Sequence, residues 1–136
     1  MSNWSSGTAE GRLGSEFEGL LEDNLTSFSF SGPLVVTTGS TRFLFPIAVT
    51  IIGVSASAST APTGASVIVD VNKNGTTIYT TQANRPAIAA SAFSASETTP
   101  DVTAMAVGDY LTVDVDQVGS TIAGSDLNVV IRYRNA

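Results

Sequence analysis

The sequence predicts an all-β protein, an antiparallel β-sandwich, and three observations support that fold class. The chain of 136 residues is 43% hydrophobic but only 13% charged, whereas charged residues make up about 25% of a typical soluble domain. Uncharged polar residues must therefore fill the solvent-facing positions, which suits strands and turns better than solvated helices. From Pro33 onward apolar residues recur at every second position, and short Gly-, Pro- or Asn-containing segments separate these runs.

Three segments show the strand alternation most clearly. In residues 65–72, three valines at alternate positions would face one side of a sheet, and Ile68 and Asp70 would face the other. The same period of two runs through residues 110–117 and 126–134. Further strands fit residues 33–38, 42–45, 47–57, 76–81 and 87–96. About eight short strands in two sheets is the number found in a jelly roll, so a jelly-roll-like sandwich is the expected topology.

One segment, DVNKNG at residues 70–75, resembles the first half of a calcium-binding loop. A loop of that type needs a bidentate Glu at its twelfth position, but Thr81 stands there, and the flanking residues are typical of strands rather than helices. Asn-Gly at positions 74 and 75 instead favours a type I′ turn, in which both central residues have positive φ. The segment therefore predicts a β-hairpin between strands at 66–72 and 76–81.

Three other carboxylates are weak candidates for a metal site. Asp114 and Asp116 lie on one face of a predicted strand, and Asp126 begins the next strand beyond a Gly-rich loop. Together they could ligate a hard cation such as calcium, which binds oxygen atoms. The alternative is a solvated polar face, as expected for one side of an antiparallel sheet. We favour the polar face and predict no metal and no cofactor, and we interpret Asp109 as a turn residue.

The first 31 residues differ from the rest of the chain, so two parts are expected: an N-terminal arm over 1–31 and a β-sandwich domain over 32–136. The arm contains five acidic residues and one basic residue, and its glycines interrupt helical patterns. A short helix fits residues 15–25, with Ser15 as N-cap and Glu18 at the third position. The arm is either a disordered leader or a segment that orders against a partner, since large apolar residues are unfavourable on a free tail. The candidate partner-binding residues are Trp4, Leu13, Phe17, Leu20 and Leu21.

Composition argues against several classes of function. The chain has neither His nor Cys, so Ser–His, Cys–His and histidine–metal catalysis are impossible. Lys73 is its one lysine and lies in a predicted exposed turn, where nothing would lower its pKa. Paired-carboxylate glycosidase chemistry needs a substrate cleft with stacking aromatic residues, which a small sandwich poor in aromatics does not suggest. The net charge of −6 excludes the basic surface that a nucleic-acid-binding protein requires. We therefore expect no enzyme and no nucleic-acid partner.

Membrane insertion and secretion are not expected either. The longest apolar stretch, residues 45–54, is too short for a membrane-spanning helix. The first twelve residues have no basic start followed by an apolar run, so a secretory signal peptide is not predicted.

Two long phrases resemble a known family. Residues 60–90, TAPTGASVIVDVNKNGTTIYTTQANRPAIAA, and residues 108–134, GDYLTVDVDQVGSTIAGSDLNVVIRYR, are similar to a β-domain of structural proteins in tailed bacteriophages, particularly those of actinobacterial hosts. The resemblance covers about residues 33–134. It implies a non-catalytic virion component that is assembled in the host cytoplasm.

The resemblance implies several positions in the particle. A single domain with an arm is more typical of a capsid decoration (cement) protein on the capsid surface than of a long tail fibre. Such a protein would bind the major capsid protein through its arm and associate as a homo-oligomer, by family habit a trimer. The alternative is a receptor- or glycan-binding module of the tail, fibre or baseplate, with a binding surface around residues 84–86 or 119–125.

Overall fold

The computed structural model describes residues 22–136, and this part of the chain forms two antiparallel sheets packed face to face. The strands are β1 (Asn24–Pro33), β2 (Phe43–Leu44), β3 (Val49–Thr60), β4 (Val67–Lys73), β5 (Thr76–Thr77), β6 (Ala87–Ile88), β7 (Ser94–Thr98), β8 (Ala104–Met105), β9 (Tyr110–Gln117) and β10 (Ser125–Asn135). A single 3-10 turn spans Gln82–Asn84. Within residues 22–136, no helix has the length and hydropathy to cross a membrane.

The strand order is that of a jelly roll. The first sheet has the order β1-β10-β3-β7, with β8 also paired to β3, and the second has the order β2-β9-β4-β5, with β6 also paired to β4. Counted inward from the two chain ends, β1 pairs with β10, β2 with β9, β3 with β7 and β8, and β4 with β5 and β6. The short strands β5 and β6 both pair with β4 at the edge of the second sheet, and β7 and β8 both pair with β3 at the edge of the first. Each pair therefore counts as one strand of a jelly roll, and the ten strands correspond to the eight strands of that fold. The expected all-β, jelly-roll-like sandwich is confirmed.

Alternation places the core between the sheets, as the sequence predicts. The three valines of β4 are fully buried, as are the alternate residues Leu111 and Val113 on β9 and Leu127 and Val129 on β10. Phe45, on the loop after β2, and Ile51, on β3, also have almost no exposed surface. The described core residues lie between Phe28 and Ile131, and they fill the space between the two sheets.

The DVNKNG segment forms the predicted hairpin. Lys73 pairs with Thr76 across a two-residue loop, in which Asn74 has φ 51° and Gly75 has φ 89°. Both positive angles match a type I′ turn. The second strand is shorter than predicted, since it ends at Thr77 and the next two side chains, Ile78 and Tyr79, turn into the core.

Strand β1 lies partly within the predicted arm, so the domain boundary expected between residues 31 and 32 falls inside a strand. Residues 24–30 pair with β10, and Phe28 is buried opposite Val129. The alternation SFSF places serines outward and phenylalanines inward, a pattern that the polar composition of this region obscured. Of the helix proposed for 15–25, residues 15–21 lie outside the described part of the chain, and Asn24 and Leu25 belong to β1.

Two other predicted strands are interrupted for local backbone reasons. Residues 33–38 do not form one, because Gly32 (φ 76°) and Pro33 end β1 and only Thr37 bridges to Val115. Residues 87–96 divide into β6 and β7 in different sheets, with Ser91 at φ 68° in the connection between them.

Candidate interaction surfaces

The residues proposed to bind a partner precede β1. Trp4, Leu13, Phe17, Leu20 and Leu21 all lie outside the described residues, so their role stays a prediction. The described part of the chain begins with Glu22 and Asp23, immediately before β1 begins at Asn24.

Asp23 is held at one end of the sandwich by a network of charged side chains. It accepts hydrogen bonds from Arg134 and Arg132 of β10, which lower the pKa of its carboxyl group. Arg132 also forms a bidentate pair with Glu97, with Nε–Oε2 at 2.8 Å and Nη2–Oε1 at 2.7 Å. The Glu97 side chain reaches across Gly53, where a Cβ atom would lie 2.3 Å from its Cδ. The start of β1 is therefore fastened to β10 and β7.

A second polar network fixes the same end of the second sheet. Asp109 accepts hydrogen bonds from the Asn74 side chain at 2.9 Å and from the Ala106 N–H at 2.8 Å, and both lower its pKa. The Asn74 side-chain oxygen in turn accepts from the Tyr110 N–H at 3.0 Å. Lys73 lies 3.5 Å from Asp109. Asp109 is a turn residue, as predicted, and it also joins the β4–β5 hairpin to the loop before β9.

A shallow apolar hollow lies beside the start of β1. Phe43, Phe45 and Tyr133 pack edge-on around it, with the Phe45 ring centroid 5.0 Å from that of Phe43 and 5.1 Å from that of Tyr133. Asn24 and Ile47 complete its rim. We call this end of the sandwich, with the turns at 45–48, 74–75 and 106–109, the terminus end.

The opposite end is built from four connections between the sheets, which we call the loop end: residues 34–36, 61–66, 89–93 and 118–124. Backbone hydrogen bonds join these loops in series. Leu34 N–H donates to Gly124 at 2.9 Å, Thr63 N–H donates to Ile122 at 2.9 Å, and Ser91 N–H donates to Pro62 at 2.7 Å. Close backbone contact at Gly119 leaves no room for a side chain, since a Cβ there would lie 1.9 Å from the Ile122 oxygen.

The surface of the loop end is uncharged and partly apolar. None of its residues is Asp, Glu, Lys or Arg. Its exposed large apolar side chains are Val35 (65% exposed), Val36 (64%), Phe93 (60%) and Ile122 (48%).

The three carboxylates considered for a cation are separated in the structure. Asp114 and Asp116 lie on β9, whereas Asp126 lies on β10 in the other sheet. Asp114 accepts from Gly39 N–H and from Asn72 Nδ2, both at 2.8 Å. No group of three or more acidic, histidine or cysteine side chains within residues 22–136 is placed to hold a metal ion.

The remaining two carboxylates are also engaged by neighbours. Asp116 pairs with Arg85 at 2.6 Å. Asp126 accepts from Gly32 N–H at 2.7 Å and from Ser59 Oγ at 2.9 Å, and these hydrogen bonds lower its pKa. Each of the three carboxylates therefore binds different neighbouring groups, and they do not form one cluster.

The loops considered for glycan recognition lie in separate segments of the structure. Residues 84–86 form the end of the 3-10 turn and the two residues after it, where Arg85 pairs with Asp116 and Pro86 is buried. Residues 119–125 belong mainly to the loop end. A polar groove on the outer face of the second sheet, where Arg42 stacks 4.2 Å above the Tyr110 ring centroid, was not expected from the sequence.

The loop end and the Asp23 network were also missed by sequence reasoning. The members of each are far apart in the chain, so no local pattern identifies them. Only the loop end could have been found from the sequence. Once a jelly roll is assumed, the connections on one side of the sandwich in this chain all lack charged residues.

Comparisons with known proteins are sparse. No family model matches the sequence, and no curated protein matches it. A solved chain of the Cyanophage Pam1 capsid asymmetric unit is similar to it at 16% identity, with a TM-score of 0.49, over 85% of this chain and 84% of that one.

Proposed function

We propose that this chain is a structural protein of a phage virion, a decoration protein that binds the major capsid protein on the capsid surface and stabilises the head. The family resemblance of residues 33–134 supports the virion role. The observation that carries the finer proposal is the pairing of Asp23 with Arg132 and Arg134, because it fixes the position at which the N-terminal segment joins the sandwich.

The N-terminal segment, residues 1–23, would supply the attachment. Besides Met1, five large apolar side chains precede Glu22, and residues between Phe28 and Ile131 supply a hydrophobic core between the two sheets. Burial of each against a capsid subunit would contribute about 1.5–3 kcal/mol before the entropy of ordering the segment is subtracted. Such a segment can therefore bind a partner that the sandwich itself does not contact.

The ion pairs of Asp23 with Arg132 and Arg134 would transfer force from the bound N-terminal segment to the sandwich. Arg132 and Arg134 lie on β10, which sits between β1 and β3 in the first sheet. A pull on residues 1–23 would thus act on a central strand rather than on edge strand β1 alone. Association of the chain as a trimer would add avidity, since three linked segments bind a shell together.

Capsid binding of full-length variants tests the proposal. We expect Phe17→Ser, Leu20→Ser and Leu21→Ser together to abolish co-sedimentation with capsids that lack this protein. The matched control, Glu16→Gln with Glu18→Gln, changes polar neighbours only and is expected to bind normally. Deletion of residues 2–21, which leaves β1 intact, should give the same loss with an unchanged thermal unfolding curve. Retained binding by the serine variant would overturn the role of the segment.

Copy number separates a capsid location from the alternative, a receptor- or glycan-binding module at the tail. Quantitative mass spectrometry of purified virions would compare this chain with the major capsid protein. A ratio near one, or a simple lattice fraction of it, is expected for a decoration protein. A few dozen copies or fewer would place the chain in the tail or neck instead.

A further inference from the structure

We propose that the loop end is the surface through which copies of this chain associate with one another. The inference rests on the self-association included in the proposed function and adds the surface responsible for it.

The distribution of charge is the first argument. Residues 22–136 contain nine acidic and five basic side chains, so copies of the domain repel each other on average. The loop end has no charged residue in any of its four loops. The nearest carboxylate on the second sheet, Asp116, is paired with Arg85, and Asp126 on the first sheet is bound by Gly32 and Ser59. Two copies can therefore approach at this end without desolvating or opposing like charges, and an uncharged surface is complementary to a copy of itself.

Exposed apolar side chains are the second argument. Val35, Val36, Phe93 and Ile122 are each about half exposed or more. The centre of a protein interface is depleted of charge. Both ends expose large apolar side chains, but only the loop end combines them with loops that contain no charged residue. Its remaining exposed groups are small or hydroxylated, such as Ser120 and Thr121, which permits close approach.

Rigidity is the third argument. The four loops are joined by backbone hydrogen bonds, and the Ile122 N–H donates to Thr63 Oγ1 at 3.1 Å in addition. The tight packing around Gly119 allows little rearrangement. A surface that is already ordered loses little conformational entropy on association, so more of its contact energy appears as affinity.

The position of the loop end makes self-association compatible with capsid binding. Strand β1 runs from the terminus end to the loop end over ten residues, a length of about 33 Å. Copies joined at the loop end would thus leave the start of every β1, which the N-terminal segment precedes, at the far end of its sandwich.

Sedimentation of the full-length protein over a range of concentrations tests the inference. We expect an oligomer for the wild type, and a dissociation constant raised by at least about tenfold by Phe93→Asp or Ile122→Asp, since each places like charges opposite one another. The matched control is Val107→Asp, whose parent side chain is 68% exposed at the terminus end; it is expected to leave the dissociation constant unchanged. Thermal unfolding verifies that each variant is folded, and Val36→Asp replaces any that is not.

Three outcomes would overturn the inference. The first is a wild-type monomer at every concentration, and the second is loop-end variants that associate as the wild type does. The third is loop-end variants that stay oligomeric but no longer bind capsids, which would mean that this surface meets the capsid protein. The capsid proposal is judged separately, because a monomer that still binds capsids overturns only the self-association, and an oligomer that does not bind overturns only the capsid role.

Discussion

The two ends of the sandwich hold their turns in place with different kinds of interaction. Each end must fix turns that cross between the sheets, and each exposes four large apolar side chains. The terminus end uses charged and amide side chains, namely Asp23 with two arginines and Asp109 with Asn74 and Lys73. The loop end uses backbone hydrogen bonds and glycine contacts. The four loops at the loop end contain no charged residue, so their surface is suited to contact with an uncharged partner surface.

The largest difference in the free energy of unfolding is expected between Phe→Ala substitutions at the two ends. Phe45→Ala removes a buried ring that packs on Phe43 and Tyr133, and we expect it to lower the free energy of unfolding by about 3–5 kcal/mol. Phe93→Ala removes an exposed ring and is expected to change it by less than about 0.5 kcal/mol. Urea unfolding at a protein concentration low enough for a monomer measures both. Equal losses would show that Phe93 is packed within its own subunit.

A smaller effect is expected when a methyl group is added to glycines at the two ends. Gly119→Ala would overlap the Ile122 backbone oxygen, and we expect a loss of about 1–3 kcal/mol from overpacking. At Gly75, where φ is 89° and no atom lies within 4 Å of the added Cβ, alanine costs about 1 kcal/mol of backbone strain. The same unfolding experiment compares them.

Sedimentation distinguishes the two glycine variants further. Gly119→Ala should weaken self-association, because it displaces the loop end. Gly75→Ala, at the terminus end, serves as the control and should not. A Gly119→Ala protein that is as stable and as oligomeric as the wild type would contradict the rigid loop end.

The smallest changes in stability are expected for two carboxylates whose pKa values are shifted in opposite directions. Burial raises the pKa of Asp70, although it accepts hydrogen bonds from Thr77 and Val71. Its ionisation therefore disfavours the folded state, and stability is lost as the pH rises through its folded pKa. We expect Asp70→Asn to match the wild type near pH 3 and to be slightly more stable at pH 7.

Asp126, at the margin of the loop end, provides the control of opposite sign. Its pKa is lowered by the Gly32 and Ser59 hydrogen bonds, so its contribution is present above the ordinary Asp value and is lost as the pH falls through the folded pKa. Asp126→Asn should be less stable than the wild type at pH 7, and the difference between them should be smaller at pH 3. Thermal unfolding at pH 3, 5 and 7 measures both variants, and parallel pH profiles for the two would contradict these assignments.

Local pattern was sufficient for much of the fold. Alternation identified β4, β9 and β10 within one or two residues, and Asn74-Gly75 identified the hairpin, because both depend on neighbours in sequence. Pattern failed for β1, where the polar composition of the region concealed SFSF, and for residues 34–36, where Gly32 and Pro33 end the strand. It also gave no indication of β8, a two-residue strand that exists only because β3 extends beside it.

The sequence by itself determined that this protein is an all-β sandwich with few charged residues and no histidine or cysteine chemistry. The hydrophobic period and the turn residues involve only a few neighbouring positions, so the strands and turns that they specify can be predicted from the sequence. Only the tertiary structure decided that Asp23 is fastened to β10, that the three candidate carboxylates are separate, and that four uncharged loops meet at one end. Those arrangements join residues as far as 111 positions apart, and the order of strands in the two sheets, rather than any local preference, brings them together.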